Sequence, residues 1–493
     1  MVFALSRVGY FLAGVRFDAR TISHYFQFID PELLKHRLIE SMYYLQVQPP
    51  GWNLYTGIAL KLFPRSYAIA LHSVHLVLGL AVCLLLFYLM RVLGVSRWIA
   101  FALAAWFTVS PGVVLFENFM LYEYIVGFLL IASAAALSRY VSTGASSWIH
   151  LFFALLVALL FVRNFFHLVY ILAILAGLIY LSKGRRRQIL LASALPLVVI
   201  LALYTKNWIL FGSFSGSSWL GMAMDTITAH QLTKREAQDF VKRGVISPVS
   251  LFDVGSPIES YRPYIAMPAR TGIPVLDECV TSTGATNFNC LAFLEVQRAY
   301  ARDGIALLRT YPIVYVRTEQ GAWFTYFLPA GDFPFFDLNR PRIYALDRIW
   351  NTVFFGQFEE AGERKDLRRL GDQGAVASLI IRTGVFLMLG LPFLWIWGVT
   401  YLVRGLRAGT LDRSRAILVG FVLFNIAYVT AIANLLSSFE NNRYRFPIDA
   451  FYVLLLGLVM ERLLRRIQRH GTASACSGVD EMTVPLPSSR STT

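Results

Sequence analysis

The chain has 493 residues, of which 56% are hydrophobic, 15% are aromatic and only 15% are charged. Soluble proteins carry about 25% charged residues, and the mean hydropathy of this chain is +0.55, so composition excludes a soluble enzyme. The net charge of +15 does not indicate nucleic-acid binding, because the basic residues stand in short clusters between apolar runs, a pattern typical of membrane topology.

Apolar runs near the roughly 20 residues that cross a bilayer recur along the chain. The first, residues 1–15, is short and contains Arg7, so it fits a spanning helix, a short helix or a signal peptide. The later runs are residues 68–90, 98–116, 119–138, 148–162, 165–182, 188–205, 377–403, 416–436 and 446–461. The sequence therefore predicts an all-α integral membrane protein with about ten transmembrane helices.

The basic residues are concentrated in alternate connections between these runs and in the tail. The positive-inside rule then places both termini in the cytoplasm. The predicted organisation is a transmembrane domain at 1–205 with an external loop at 17–67, a mainly helical extracytoplasmic domain at 206–376, C-terminal transmembrane helices at 377–464 and a disordered cytoplasmic tail at 465–493.

The two external regions carry local helix signals. Pro49 and Pro50 in QPPGWN open an amphipathic segment too short to span, which reads as an interfacial helix. Thr233 and Glu236 form a predicted capping box, and residues 289–310 carry a helical apolar period.

The sequence contains no P-loop, G-x-G-x-x-G, HExxH or paired CxxC motif, and its eight histidines lack ligand spacing. ATP-driven transport and zinc hydrolysis therefore have no support. Of the four cysteines, only Cys279 and Cys290 share the long external region, so only these two could form a disulfide, and the sequence leaves open whether they do. No cofactor is indicated, and a divalent cation is left open.

Acidic residues follow the first apolar run. Asp18 in VRFDART is a candidate general base for an acceptor hydroxyl, and its alternative role is a plain helix N-cap. Asp30 in QFIDPELL is the second candidate base, and its alternative role is to cap a helix begun by Pro31.

Glu117 and Glu123 lie between two apolar runs that leave almost no room for a solvated loop. Carboxylates are costly near lipid unless they have a partner or a task. We expect at least one of the two to face a polar cavity and bind substrate, with ordinary interfacial anchoring as the alternative.

Several cationic and amide side chains stand at the predicted external ends of spans. They are Arg163, Lys206, Asn207, Arg443 and Arg445. External arginines run against the positive-inside rule, and a guanidinium binds a lipid phosphate in a bidentate way. The alternative is a structural pairing with Glu440 or with lipid headgroups.

The order of these features resembles the GT-C superfamily of polytopic membrane glycosyltransferases, in particular the branch of protein O-mannosyltransferases and lipid A aminoarabinose transferases. In that family an acidic residue follows the first span, a proline pair opens a juxtamembrane helix, a second acidic residue follows the third span, and an Arg-rich segment precedes the last helix. Here these features look like Asp18, the QPPGWN segment with Gln48, Glu117 or Glu123, and NNRYRFPID. KNWILFGSF is similar to the family's R/K-N-x-x-x-F-G stretch.

The resemblance implies a GT-C-like fold in a bacterial inner membrane. It also implies an inverting transferase that moves a sugar from a polyprenyl-phosphate donor to a glycan, lipid or protein hydroxyl on the extracytoplasmic face. Asp18 or Asp30 would act as the base, Arg443, Arg445 and Lys206 would hold the leaving phosphate, and Glu117 or Glu123 would orient a sugar or bind a cation. The implied partners are the lipid-linked donor, the acceptor and membrane lipids, with no nucleic acid.

Two other functions remain open. A transporter or flippase of a lipid or solute would use the same carboxylates to carry protons or coupling ions, and it predicts inverted repeats, which the sequence lacks. A non-catalytic scaffold for envelope assembly predicts that all four candidate carboxylates can be neutralised without loss of function.

Overall fold

The structure, a computed structural model, describes residues 1–362 and 376–477. Within these ranges the chain forms helices and no strand, with isolated bridges at Asp18–Phe119 and Val280–Thr286. The predicted all-α class is confirmed. The last helix continues to Ser477, beyond the predicted start of the disordered tail, and the rest of that tail, 478–493, lies outside the described residues.

The first part of the chain supplies most of the apolar helices. In chain order they are α1 (Val2–Leu12), α2 (Thr21–His24), α3 (Pro31–His36), α4 (Leu38–Tyr43), α5 (Pro50–Leu62), α6 (Tyr67–Val92), α7 (Arg97–Val109), α8 (Pro111–Glu117), α9 (Glu123–Thr143), α10 (Ser146–Val162), α11 (Leu168–Leu181) and α12 (Arg186–Phe211).

Shorter helices follow, and three long ones end the described chain. They are α13 (Leu220–Ile227), α14 (Lys234–Lys242), α15 (Ile258–Tyr261), α16 (Pro274–Asp277), α17 (Leu291–Thr310), α18 (Ile313–Tyr326), α19 (Tyr344–Trp350), α20 (Val376–Thr383), α21 (Val385–Arg407), α22 (Arg413–Leu435) and α23 (Asn441–Ser477). A π-helical turn, Asn351–Phe355, continues α19.

In the described ranges, five helices are long and apolar enough to cross a membrane: α6, α9, α12, α21 and α22. The bent pair α7 and α8 makes a sixth if it counts as one span, and α1, α10 and α11 are shorter apolar helices. This is the helix content of a multi-pass membrane protein, but the predicted ten spans are not confirmed. α1 has only 11 residues where about 20 are needed.

The run predicted as one span at 98–116 is broken at Ser110, and its two helices meet at a bend of 57°. Pro111 cannot donate a backbone hydrogen bond to the preceding turn, and the Ser110 hydroxyl accepts from the Val113 amide to cap α8. The chain then returns to the region 17–67, which the sequence predicts to be external, where the Asp18 amide donates to the Asn118 carbonyl at 2.7 Å. The bend therefore brings the residues after α8 against Asp18.

Several local predictions for the external regions are confirmed. α5 begins at Pro50 with Pro49 as its N-cap, and the capping box of Thr233 and Glu236 starts α14. The apolar period at 289–310 is α17. Cys279 and Cys290, the pair that the sequence allowed but left undecided, form a disulfide.

The loop closed by this disulfide joins the two external regions. The Ser282 amide and hydroxyl donate to Asp30 at 2.7 and 2.6 Å, and the side-chain oxygen of Asn289 accepts from the Gln46 amide at 2.8 Å. The first external region is thereby packed against residues more than 200 positions later in the sequence.

Candidate functional site

A buried cluster of four charged residues lies where α9, α10 and α23 meet. Glu123 contacts Arg163 at 3.3 Å and Arg443 at 3.0 Å, and Arg443 contacts Glu440 at 2.8 Å. We call these four residues the charge cluster. Glu123 is 0% exposed and Arg443 is 1% exposed, so the balance of two cations and two anions is what makes their burial tolerable.

Aromatic rings surround the cations of the charge cluster. The guanidinium of Arg163 faces the rings of Phe165 at 4.1 Å and Tyr444 at 4.7 Å, and that of Arg443 donates to the Tyr25 hydroxyl at 2.6 Å. Burial raises the pKa of Tyr25 well above its usual value, so this hydroxyl stays protonated.

The hydrogen bonding of the charge cluster is incomplete. Oε1 of Glu123 contacts both guanidiniums as ion pairs without hydrogen-bond geometry, whereas its Oε2, and Nε and Nη2 of Arg163, lack a hydrogen-bond partner among the described residues. Buried polar groups are nearly always satisfied, so unmatched atoms here indicate a place for a water or a polar ligand.

A cavity of about 560 Å³ borders the charge cluster. Its lining combines amides, hydroxyls, one carboxylate and aromatic rings. The residues that face it include Gln27, Gln48, Asn164, Ser215, Ser217, Glu440, Phe26, Tyr122, Trp219 and Tyr444. Phe26 stacks on Trp219 with ring centroids 5.2 Å apart. We call this space the polar cavity. Of the charge cluster, only Glu440 is among its lining residues.

Of the predicted residues Gln48, Lys206 and Asn207, Gln48 lies in the wall of the polar cavity and the other two lie behind it. Gln48 donates to the Gln27 side chain, and Asn207, near the end of α12, donates to the Ser215 carbonyl at 2.7 Å. Lys206 donates to two carbonyls of the first external region, at 2.9 Å each. Gln48 lines the cavity, while Lys206 and Asn207 act on its shape by tying backbone segments together.

A second space, a groove of about 280 Å³, lies on another side of the start of α23. We call it the apolar groove. It is lined mainly by aromatic and aliphatic side chains of α7, α21 and α23, together with Ser110, Arg445 and Asp449. Arg445 contacts Asp449 at 2.9 Å and donates to the Tyr326 carbonyl.

The first turns of α23 separate these features. Successive helical residues point about 100° apart, so Arg443 enters the charge cluster, Tyr444 faces the polar cavity, and Arg445 and Phe446 face the apolar groove. The predicted structural pairing of Arg443 with Glu440 is confirmed.

The two candidate bases lie elsewhere. Asp18 is buried, accepts from Arg20 at 2.9 and 2.7 Å, and is not among the residues lining the polar cavity. Its alternative role as an N-cap is wrong, because Arg20 occupies the N-cap of α2 and no side chain caps that helix. Asp30 does cap α3, accepting from the Glu32 amide, as its alternative predicted.

The paired glutamates differ from the sequence expectation. Glu117 is fully buried against α1, where Arg7 binds both of its oxygens at 2.8 and 2.7 Å and the Tyr124 hydroxyl donates at 2.7 Å. Glu123 belongs to the charge cluster, and neither glutamate lines the polar cavity. Interfacial anchoring is wrong for both, because neither is exposed.

Sequence reasoning missed Gln27, Trp219 and Tyr444 as site residues, and it treated Glu440 only as a partner for arginine. A usable signal was the small polar run GSFSGSSW after KNWILF, which places hydroxyls and an indole within about 15 residues of the end of a predicted span. Within the described ranges, no group of three His, Cys, Asp or Glu side chains is placed to hold a metal ion.

No protein-family model matches the chain, and no curated protein matches it. Among solved structures, it is similar to an archaeal oligosaccharyltransferase, AglB from Archaeoglobus fulgidus, in complex with an inhibitory peptide and a dolichol-phosphate, with 13% identity and a TM-score of 0.37. The match covers 95% of this chain and 51% of that chain, so this chain spans about half the length of the archaeal protein. We draw nothing about site or activity from a likeness this distant.

Proposed function

We propose that this chain is an inverting glycosyltransferase of a bacterial inner membrane, with both termini in the cytoplasm. It would move a sugar from a polyprenyl-phosphate donor to a glycan, lipid or protein hydroxyl on the extracytoplasmic face. One observation carries the proposal: the polar cavity and the apolar groove lie on different sides of the residues 443–446. A donor with a sugar head and a long hydrocarbon tail needs these two environments side by side.

The apolar groove suits the hydrocarbon tail, and Arg445 suits the phosphate. Arg445 donates one hydrogen bond to Asp449 and one to the Tyr326 carbonyl. A guanidinium has five N–H donors in all, so others remain for a phosphate oxygen. The positive charge would stabilise the phosphate as it leaves. Arg443 would act through the charge cluster, by fixing Glu440 and Tyr444 at the boundary of the polar cavity.

The polar cavity suits a sugar and an acceptor hydroxyl. The stacked pair Phe26 and Trp219 offers apolar ring faces, and Gln27, Gln48 and Ser217 offer donors and acceptors around them. Sugars present both kinds of surface. The amides and hydroxyls would select the sugar, while the rings exclude water from it.

Glu440 is the base that the geometry favours, because it contributes the carboxylate among the described lining residues of the polar cavity. It would take the proton of the acceptor hydroxyl while that oxygen bonds to the anomeric carbon from the face opposite the phosphate. The bond from the anomeric carbon to the phosphate oxygen breaks, and the phosphate keeps the electron pair. Asp18 remains the second candidate: each carboxylate is paired with an arginine, Glu440 with Arg443 and Asp18 with Arg20, but Asp18 does not line the polar cavity.

The test is deletion of the gene in its host, with mass spectrometry of envelope glycans and polyprenyl-linked sugars. Wild type, Glu440→Gln, Asp18→Asn and a control, Glu32→Gln, are returned at matched membrane levels. Glu32 is a half-exposed carboxylate that does not line the polar cavity. The substitution Glu32→Gln therefore removes one negative charge from the same part of the chain without changing the cavity. We expect wild type and Glu32→Gln to restore a missing sugar and Glu440→Gln to fail.

Failure of Asp18→Asn alone would move the base to Asp18. An unchanged profile on deletion would overturn the transferase. Purified protein in detergent, given lipid-linked donor extracted from the host, separates transfer from transport, because a micelle has no second compartment. Transfer in detergent supports the proposal, and activity seen only in sealed vesicles contradicts it.

A further inference from the structure

Helix α19 and its π-helical continuation turn their polar residues inward and their apolar residues outward. Asp347 and Asn351 are 0% and 2% exposed, whereas Ile349 and Val353 are 63% and 59% exposed. Leu346 on the same stretch is also exposed. A helix on a water-facing domain shows the reverse arrangement, with its apolar stripe toward the core.

Two of the inward polar side chains, Asp347 and Gln357, have partners inside the molecule. Asp347 contacts Arg340 at 2.9 Å, and Arg340 also contacts Asp332. Gln357, just past the π-helical turn, donates to the Arg382 carbonyl at 2.9 Å. The segment therefore uses its polar side chains for internal bonds and leaves apolar side chains on its outer face.

The outer face continues the surface of a helix long enough to cross a membrane. On α21, Phe386, Leu389 and Phe393 are exposed in the same way. Phe354 of the segment lines the apolar groove together with Phe386 and Phe393. The ring of Phe354 is 5.5 Å from Trp106 of α7.

We propose that the segment 344–358 places its outer face in the lipid bilayer, as an interfacial helix beside α7 and α21. The bilayer is the occupant that this continuity favours, because the exposed face of α21 is itself lipid-facing and the two surfaces meet at the apolar groove. Amphipathic helices bind the interface through the buried area of such an apolar face. Part of the region 206–376 is then embedded in the membrane and not in water.

The test uses single nitroxide labels on the full chain in vesicles of phosphatidylethanolamine and phosphatidylglycerol. Ile349→Cys and Val353→Cys are made in a background with Cys83→Ser and Cys476→Ser, which leaves the disulfide intact. Leu389→Cys is the lipid-facing control, and Glu259→Cys, at an exposed position of α15, is the aqueous control. Collision rates with oxygen and with a polar nickel chelate give the depth of each label.

We expect the ratio of oxygen to nickel collisions at both test positions to match Leu389 and to exceed Glu259 several-fold. Ratios equal to that of Glu259 would overturn the proposal. Dipolar broadening of the spectrum of the Ile349 label would also overturn the proposal if it disappears when labelled protein is diluted with unlabelled protein. Such broadening would mean that a second copy of the chain, and not lipid, covers this face. All four labelled positions are exposed, so the labels replace no internal contact.

Discussion

Glu117 and Glu123 are six residues apart, and both are buried against arginine, but their surroundings differ. Arg7 binds Glu117 in a bidentate way and also donates to the Thr108 carbonyl, so that ion pair is closed and fully bonded. The charge cluster around Glu123 has unmatched polar atoms and borders a cavity. A closed pair serves packing, whereas an open cluster beside a cavity has capacity for a ligand or for chemistry.

The largest effect is expected from breaking the closed pair. Glu117→Met leaves the Arg7 guanidinium buried without its carboxylate, which costs about 3–5 kcal/mol of stability. Thermal unfolding in detergent, followed by circular dichroism, measures the loss. The matched control is the double variant Arg7→Met with Glu117→Met, which removes both charges and should regain most of the stability. A double variant as unstable as the single one would show that the pair has another role.

The second-largest effect is expected at Glu440, which belongs to the charge cluster and lines the polar cavity. Glu440→Gln keeps the shape of the side chain at the polar cavity but removes its basicity, and we expect transfer to fall about 100-fold. Initial rates with extracted donor in detergent measure the change, with Glu32→Gln as the control that should transfer normally. Equal loss of transfer in both variants would place the effect in surface charge and not in the cavity.

A smaller effect is expected from the aromatic wall. Trp219→Leu keeps an apolar side chain but removes the ring that stacks on Phe26. A ring contact contributes about 0.5–1.5 kcal/mol. Loss of one such contact with the sugar should raise the KM of the sugar substrate about tenfold. A fall in kcat with unchanged KM would instead give Trp219 a part in positioning the reacting groups. Trp98→Leu, at an exposed position on α7, is the matched control.

The smallest effect is expected from Asp30, a carboxylate committed to structure. Asp30→Asn keeps a side-chain oxygen that can cap α3 and accept from Ser282 but removes the charge, and it should cost about 1 kcal/mol of stability. The rate of sugar transfer per folded molecule should stay at the wild-type value. The rate is divided by the amount of monodisperse protein, which gel filtration measures. A large loss of transfer at normal stability would reinstate Asp30 as the base.

The elements that the sequence predicted correctly are those with local signals. Pro49 and Pro50 set the start of α5, and the Thr233 and Glu236 capping box set the start of α14. These signals act within one turn of helix, so they can be recognised without the fold. For the disulfide, exclusion left Cys279 and Cys290 as the one possible pair, but the bond itself is visible only in the structure, where the two backbones come together.

The site was less predictable, because its contacts join distant parts of the chain. Arg7 and Glu117 are 110 residues apart, and no sequence periodicity indicates which glutamate a given arginine will contact. The interruption at Ser110 was missed because its hydrophobic surroundings suit one continuous span. The direction of α19 was also hidden, since an alternation of polar and apolar residues shows that a helix has two faces but not which one meets lipid.

The bonds between the regions 17–67 and 206–376 set an order in which this protein can complete its fold. Gln46 is held by the side chain of Asn289 and by the Ser218 amide, and all the apolar helices from α6 to α12 lie between these points in the chain. A polypeptide halted after α12 would hold Gln48 but lack Trp219, Glu440 and Tyr444, which also line the polar cavity. The cavity is therefore complete only after the start of α23 has been made and folded against the earlier helices.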